Sequence, residues 1–164
     1  MLSPMPPPTI AEAIRLQQAG DLEGARIVCR EILASDSEQV DALQALGVVE
    51  MQRKQLDEAL SHLQRAASLD SSRADVWNHL GAAYSAAGRT DEGLAAFERA
   101  IALAPELADA HYNLGTALRQ LDRLEEALAG LRRAVELNPR FAEAHFNLGN
   151  LLRDQDRLDE AIES

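Results

Sequence analysis

The fold is decided by the stretch Trp77-Asn78-His79-Leu80-Gly81-Ala82-Ala83-Tyr84, because its leucine–glycine pair recurs on a fixed period. Four equivalent pairs follow one another every 34 residues without insertion or deletion: Leu46-Gly47, Leu80-Gly81, Leu114-Gly115 and Leu148-Gly149. Such a period is typical of stacked helical hairpins, each of which is too small to bury its apolar face alone. The sequence therefore predicts an all-α repeat protein.

The pattern within each repeat indicates how the two helices of a hairpin meet. The motif side chains of residues 77–84 fall on one stripe of a helix, because each residue turns by about 100°. Glycines on this stripe, such as Gly81, let the two helices approach closely where a larger side chain would overpack. Gly88 and Asp122 suit the left-handed conformation that ends many helices. Asp122 with Glu125 also resembles a capping box.

The repeats resemble the tetratricopeptide repeat (TPR), in which W-x2-L-G-x2-Y is followed by a small residue, an aromatic residue and a proline. The third repeat carries this pattern as Trp77, Leu80, Gly81, Tyr84, Gly93, Phe97, Ala100 and Pro105. The fourth repeat reads His111, Leu114, Gly115, Leu118, Ala127, Leu131, Ala134 and Pro139. The first repeat is degenerate, as is expected of an end repeat. The resemblance implies a right-handed superhelical solenoid of TPR helix-turn-helix hairpins, with four full repeats and one truncated repeat.

The expected organisation is a Pro-rich extended tail over residues 1–8 and a TPR solenoid over residues 9–164. The repeats are expected at about 9–39 (degenerate), 40–73, 74–107, 108–141 and 142–164 (truncated). Ser164 falls within the second helix of the last repeat, so no hairpin is expected to cover Leu151, Leu152, Leu158 and Ile162. An apolar patch of this kind predicts a possible homo-oligomer through the uncapped C-terminal end.

Composition narrows the class of partner. The net charge of −11 argues against nucleic acid, which requires clustered Lys and Arg. No segment approaches the 18 or more apolar residues of a membrane span, and the start resembles no signal peptide. We therefore expect a cytoplasmic protein with no membrane partner. The single cysteine, Cys29, excludes an internal disulfide and is expected to be buried.

The sequence holds none of the motifs that carry catalysis or bind cofactors: no phosphate loop, no H-E-x-x-H, no C-x-x-C and no G-x-S-x-G. His111 and His145 are one repeat apart, roughly 10 Å, which is too far for one metal ion. We predict no catalytic residue, no metal site and no cofactor. The chain is not expected to be an enzyme.

A second set of residues faces away from the apolar stripe of each first helix. In a TPR superhelix, as the resemblance implies, these residues line the concave groove. The predicted peptide-binding residues are Asn78, His79, Tyr112, Asn113, Thr116, Arg119, Phe146, Asn147, Asn150 and Arg153. Stacked asparagines can bracket the backbone of an extended peptide, since an amide both donates and accepts. Tyr112 and Phe146 are expected to be exposed and to supply apolar contacts, and Arg119 and Arg153 to select acidic side chains.

Three hypotheses of function follow. The first is a non-catalytic protein–protein interaction scaffold that binds an extended peptide or a helix in its concave groove. The second hypothesis rests on resemblance. The asparagines look like the asparagine ladder of O-linked N-acetylglucosamine transferases, and the N-terminal part looks like the TPR region of their bacterial relatives. It makes the chain the substrate-presenting N-terminal arm of a larger glycosyltransferase, sulfotransferase or methyltransferase. The third is a self-assembling structural scaffold.

Overall fold

The computed structural model describes residues 8–154, and every regular element in that range is an α-helix. The helices are α1 (Ile10–Gln18), α2 (Leu22–Ser35), α3 (Val40–Gln52), α4 (Leu56–Leu69), α5 (Ala74–Ala86), α6 (Thr90–Leu103), α7 (Ala108–Gln120), α8 (Leu124–Leu137) and α9 (Ala142–Asp154). The predicted all-α class of TPR hairpins is confirmed. The expected tail and the second helix of the truncated repeat fall largely or wholly outside the described residues.

The chain divides into two compact units, Met1–Ser72 and Arg73–Ser164. In the first unit, α1 packs on α2, α2 on α3, and α3 on α4. In the second unit, each helix from α5 to α8 packs on the next, and α5 also contacts α7. Odd-numbered helices are thus the first helices of hairpins and even-numbered helices the second. The boundaries between repeats stay a prediction.

Glycines on the apolar stripe set the distance between the two helices of a hairpin. A methyl group added at Gly81 would lie 2.6 Å from two ring carbons of Phe97. One added at Gly47 would lie 2.6 Å from Cγ of Leu63. Such distances are far below van der Waals contact, so only glycine fits without displacing its neighbour. We call this contact between first and second helices the seam.

Each described hairpin turn holds one residue in the left-handed region: Gly20 (φ 82°), Lys54 (φ 61°), Gly88 (φ 75°) and Asp122 (φ 59°). The next residue then donates its backbone N–H to a carbonyl five residues earlier, as Arg89 does to Tyr84 at 2.9 Å. The expectations for Gly88 and Asp122 are confirmed. The capping box is wrong, because α8 begins at Leu124 and no side chain caps its start. Asp122 lies in the turn, one residue too early to serve as the N-cap.

Two expectations about apolar exposure are also wrong. Leu151 and Leu152 are buried, because they pack into a core cluster with Leu128, Leu131 and Leu148. Leu158 and Ile162 lie outside the described residues. Tyr112 is half-buried, because its ring packs against the same cluster.

Candidate functional site

Two side-chain hydrogen bonds connect the first helices of the second unit. Asn113 Nδ2 donates to Asn78 Oδ1 at 2.9 Å, which joins α7 to α5. Asn147 Nδ2 donates to Tyr112 Oη at 3.1 Å, which joins α9 to α7. Both bonds span 35 residues, one more than the 34-residue period, so each links a position in one repeat to the position after its equivalent in the next repeat. We call these four residues the amide ladder.

The members of the amide ladder lie at different depths. Asn78 is only 7% exposed, whereas Asn113 and Asn147 are half-buried. Within residues 8–154, the side-chain oxygens of Asn113 and Asn147 accept no hydrogen bond. The ladder therefore has one buried supporting amide, Asn78, and two half-buried asparagines whose side-chain oxygens remain available as acceptors.

Two aromatic side chains, Tyr112 within the ladder and Phe146 beside it, differ in exposure. Phe146 is 70% exposed, the most of any large hydrophobic side chain that the structure describes. The Tyr112 ring instead lies 4.8 Å from the Phe141 ring, centroid to centroid, with the planes tilted by 41°. Tyr112 thus uses its ring for packing and its hydroxyl for the ladder.

The remaining predicted residues surround the ladder on the same helices. The Thr116 hydroxyl on α7 is buried and has no hydrogen-bond partner among the described residues. Arg153 donates to Asn150 Oδ1 at 3.0 Å on α9. Burial lowers the pKa of His79, against the opposing effect of Asp75 and Asp109, which favours the neutral imidazole.

Acidic and basic side chains lie at opposite ends of the first helices α7 and α9. Acidic side chains occupy the first turns, with Asp109 on α7 and Glu143 on α9. Arginines occupy the last turns, with Arg119 on α7 and Arg153 on α9. Each helix end thereby complements its dipole. A ligand that lies across these helices would meet acid along one edge and base along the other.

The described residues include no group of three His, Cys, Asp or Glu side chains placed to bind a metal ion. The ring nitrogen Nε2 of His111 lies 2.9 Å from the Pro105 carbonyl, and that of His145 lies 3.1 Å from the Pro139 carbonyl. Each of these two histidines therefore contacts the carbonyl of the proline six residues before it, in successive repeats. Burial raises the pKa of the Cys29 thiol to about 11, so the thiol stays protonated at neutral pH.

Between residues 8 and 154, no helix has the length and apolar character needed to cross a bilayer.

Comparison with known proteins agrees with the repeat pattern. A family model described as TPR repeat matches residues 47–88 and 115–155. Two models described as Tetratricopeptide repeat match residues 74–107 and residues 96–129. No curated protein sequence matches the chain.

Solved structures share the fold at low sequence identity. A crystal structure of MamA is 24% identical with a TM-score of 0.78, over 99% of this chain and 91% of that one. PilF of Pseudomonas aeruginosa is 24% identical with a TM-score of 0.87, over 94% and 70% of the two chains. YrrB, described as a TPR protein with an unusual peptide-binding site, is 24% identical with a TM-score of 0.69, over 94% and 79%. At this identity the likeness concerns the fold alone.

Proposed function

Because this chain belongs to the tetratricopeptide repeat family, whose members bind protein or peptide partners, we propose that it is a non-catalytic protein-interaction module. Its ligand is an extended peptide, and the amide ladder with its flanking residues is the binding surface.

The hydrogen bonds of the amide ladder carry this proposal. Each bond consumes one donor of Asn113 or Asn147 and leaves the side-chain oxygen available. An extended peptide offers backbone N–H groups at regular spacing, whatever its sequence. Two oxygens held on successive first helices can accept from such groups. Asn78 supports Asn113 from below and is too buried to contact the ligand over a large area.

Phe146 supplies the apolar part of the site. Its exposed ring lies next in sequence to Asn147, so an aliphatic or aromatic side chain of the peptide can cover it. Arg119 and Arg153 on the basic edge add a preference for acidic peptide side chains, which salt weakens. Affinity should be modest, since an extended peptide loses conformational freedom on docking.

The test is a screen of extended peptides on an array, followed by affinity measurement of the peptides that bind. We expect Asn113→Ala/Asn147→Ala to weaken binding by about tenfold or more. Phe146→Ala, which removes an exposed ring, should weaken it without altering stability. Arg99→Ala on α6 is the control, because Arg99 is exposed on a second helix.

Peptides retained unchanged by the double asparagine variant would contradict the proposal, especially if Arg99→Ala removed them. Thermal unfolding of each variant must accompany the assay, because Asn113 also supports buried Asn78.

The other two hypotheses have less support. Burial of Leu151 and Leu152 removes part of the reason to expect self-assembly. A substrate-presenting arm rests on resemblance alone, and the gene sequence beyond Ser164 would test it. Localisation in the cytoplasm likewise stays a prediction.

A further inference from the structure

Each unit contains a hollow between two successive second helices. In the first unit the hollow lies between α2 and α4, above α3, with a volume of about 310 Å³. Its main lining residues are Arg30, Leu33, Ala34, Leu46, His62 and Arg65. We call it the basic hollow.

The hollow of the second unit is its counterpart two repeats later. It lies between α6 and α8, above α7, with a volume of about 560 Å³. Its residues Glu98, Ile101, Ala102, Leu114, Gly130 and Arg133 each follow the six residues of the basic hollow by 68 positions. The apolar lining residues of the two hollows are of similar type, but Glu98 occupies the position that is equivalent to Arg30 of the basic hollow. We call it the mixed hollow.

The two hollows differ in how their cations are neutralised. In the mixed hollow, Arg123 makes two hydrogen bonds of 2.7 Å to Glu126, and Arg133 bonds Glu136 at 3.0 Å. In the basic hollow, Arg30 has no hydrogen bond or ion pair with a described residue, and it is exposed.

Arg65, the second guanidinium of the basic hollow, has one hydrogen bond, to the neutral hydroxyl of Ser37 at 3.5 Å. No carboxylate lines this hollow. Of the acids near this hollow, Glu23 and Glu50 are bonded to Arg26 and Arg53. Glu58 acts electrostatically on His62, and Glu23 on Arg30, without lining the hollow.

We propose that the basic hollow is a second docking site, and that it binds an acidic segment of a partner protein. Two carboxylates of the segment pair with Arg30 and Arg65, and an aliphatic side chain between them covers Leu33 and Ala34. Charge complementarity supports this docking site. The chain as a whole carries −11 and repels anions, yet these two guanidinium groups face one hollow without a carboxylate. Arginine favours this role because its planar group matches a carboxylate in two-point hydrogen bonding.

The site lies wholly within the first unit, so it is independent of the amide ladder. Variants of the ladder should leave it unchanged, and its failure would not affect the proposed function.

The test uses the full chain and a fluorescently labelled peptide in which pairs of glutamates flank a leucine. We expect binding by fluorescence anisotropy, and binding at least tenfold weaker for the same peptide with glutamine in place of glutamate. Arg30→Glu/Arg65→Glu should weaken binding by tenfold or more. Raising the ionic strength from about 0.1 M to about 1 M should also weaken it, since the screening length falls from about 10 Å to about 3 Å.

Two arginines of the other unit provide the control, and one of them, Arg133, lines the mixed hollow. Arg99→Glu/Arg133→Glu makes the same change in net charge on second helices of the other unit, and it should change affinity by less than about twofold. Equal loss with this control would overturn the proposal in favour of a nonspecific charge effect. Equal binding of the glutamine peptide, or tighter binding of a single-stranded DNA oligomer, would also overturn it. The double variant Arg30→Gln/Arg65→Gln removes both charges without reversing them and should still weaken binding. Because both positions are exposed, it should fold even if the variant Arg30→Glu/Arg65→Glu does not.

Discussion

Helix α7 shows opposite chemistry on its two sides. On the seam side, Gly115 lies so close to Leu131 that an added methyl group would be 3.0 Å from its Cγ. On the ladder side, Asn113 and Thr116 are partly exposed and polar. The seam glycine recurs at Gly47, Gly81 and Gly115 because an added methyl group would overlap the facing side chain, whereas the ladder positions vary from repeat to repeat. The constancy of this glycine thus reflects packing, and the variable ladder positions form the surface where binding specificity can change.

The largest effect should come from adding volume to the seam. We expect Gly81→Val to lower the free energy of unfolding by about 3 kcal/mol, because its side chain must displace the Phe97 ring. Phe97→Leu should partly rescue it, since leucine already faces Gly115 in the next repeat. Urea denaturation of both single variants and the double variant measures this, and strictly additive costs would contradict the seam contact.

The second prediction concerns the buried carboxylate of Glu50 on the seam side. Glu50 is 1% exposed and bonds the Arg53 guanidinium at 2.8 Å, at the position where the TPR pattern has tyrosine. We expect Glu50→Gln to cost about 1–2 kcal/mol, less than a fully buried pair because Arg53 is partly exposed. The exposed Glu58→Gln on α4 is the matched control for thermal or urea denaturation, and an equal cost would refute the buried pair.

On the ladder side, the two bonds should differ in their effect on stability. Asn113→Ala leaves the buried Asn78 oxygen without its partner and should cost about 1 kcal/mol. Asn147→Ala leaves the half-buried Tyr112 hydroxyl, which water can reach, and should cost less than about 0.5 kcal/mol. Chemical denaturation of the two variants provides the measurement. The reverse order would mean that Asn78 is hydrated.

The smallest effect concerns the exposed pair at the start of α8. Hydrogen bonding from Arg123 lowers the pKa of Glu126 in the folded state. The stabilisation is therefore present above the unfolded-state pKa of Glu126 and is lost as pH falls through its lowered folded-state pKa. Wild type and Glu126→Gln should differ slightly in melting temperature at pH 7 and converge at acidic pH. A difference that grew on acidification would contradict the sign.

The fold was predictable because the 34-residue period of the leucine–glycine pairs is typical of stacked helical hairpins. Once the leucine–glycine pairs were in register, helix geometry assigned the seam, and the close contact of Gly81 with Phe97 follows from it. Turn conformation was predictable at Gly88 and not at Lys54, because lysine has no intrinsic preference for positive φ.

The candidate site was less predictable, since a helical projection gives the direction of a side chain but not its depth. It placed Asn78 and Tyr112 on the groove face, whereas packing buries the one and half-buries the other. The ladder bonds join residues 35 apart, an offset between repeats that inspection of single helices does not reveal.

The residues of the basic hollow were missed, although the sequence carried a signal. Arg30 and Arg65 have no acidic residue three or four positions away, unlike Arg26 and Arg123, so no intrahelical pair was available to them.

The position of the amide ladder also bears on how unfolding spreads through the chain. The stability of a repeat array is approximately a sum of intrinsic hairpin terms and nearest-neighbour coupling terms. Both ladder bonds join different hairpins, so their energy belongs to the coupling. Removing them should leave each hairpin as stable in isolation while lowering the cooperativity between hairpins. The unfolding transition should then broaden, because hairpins that are no longer coupled unfold at different denaturant concentrations.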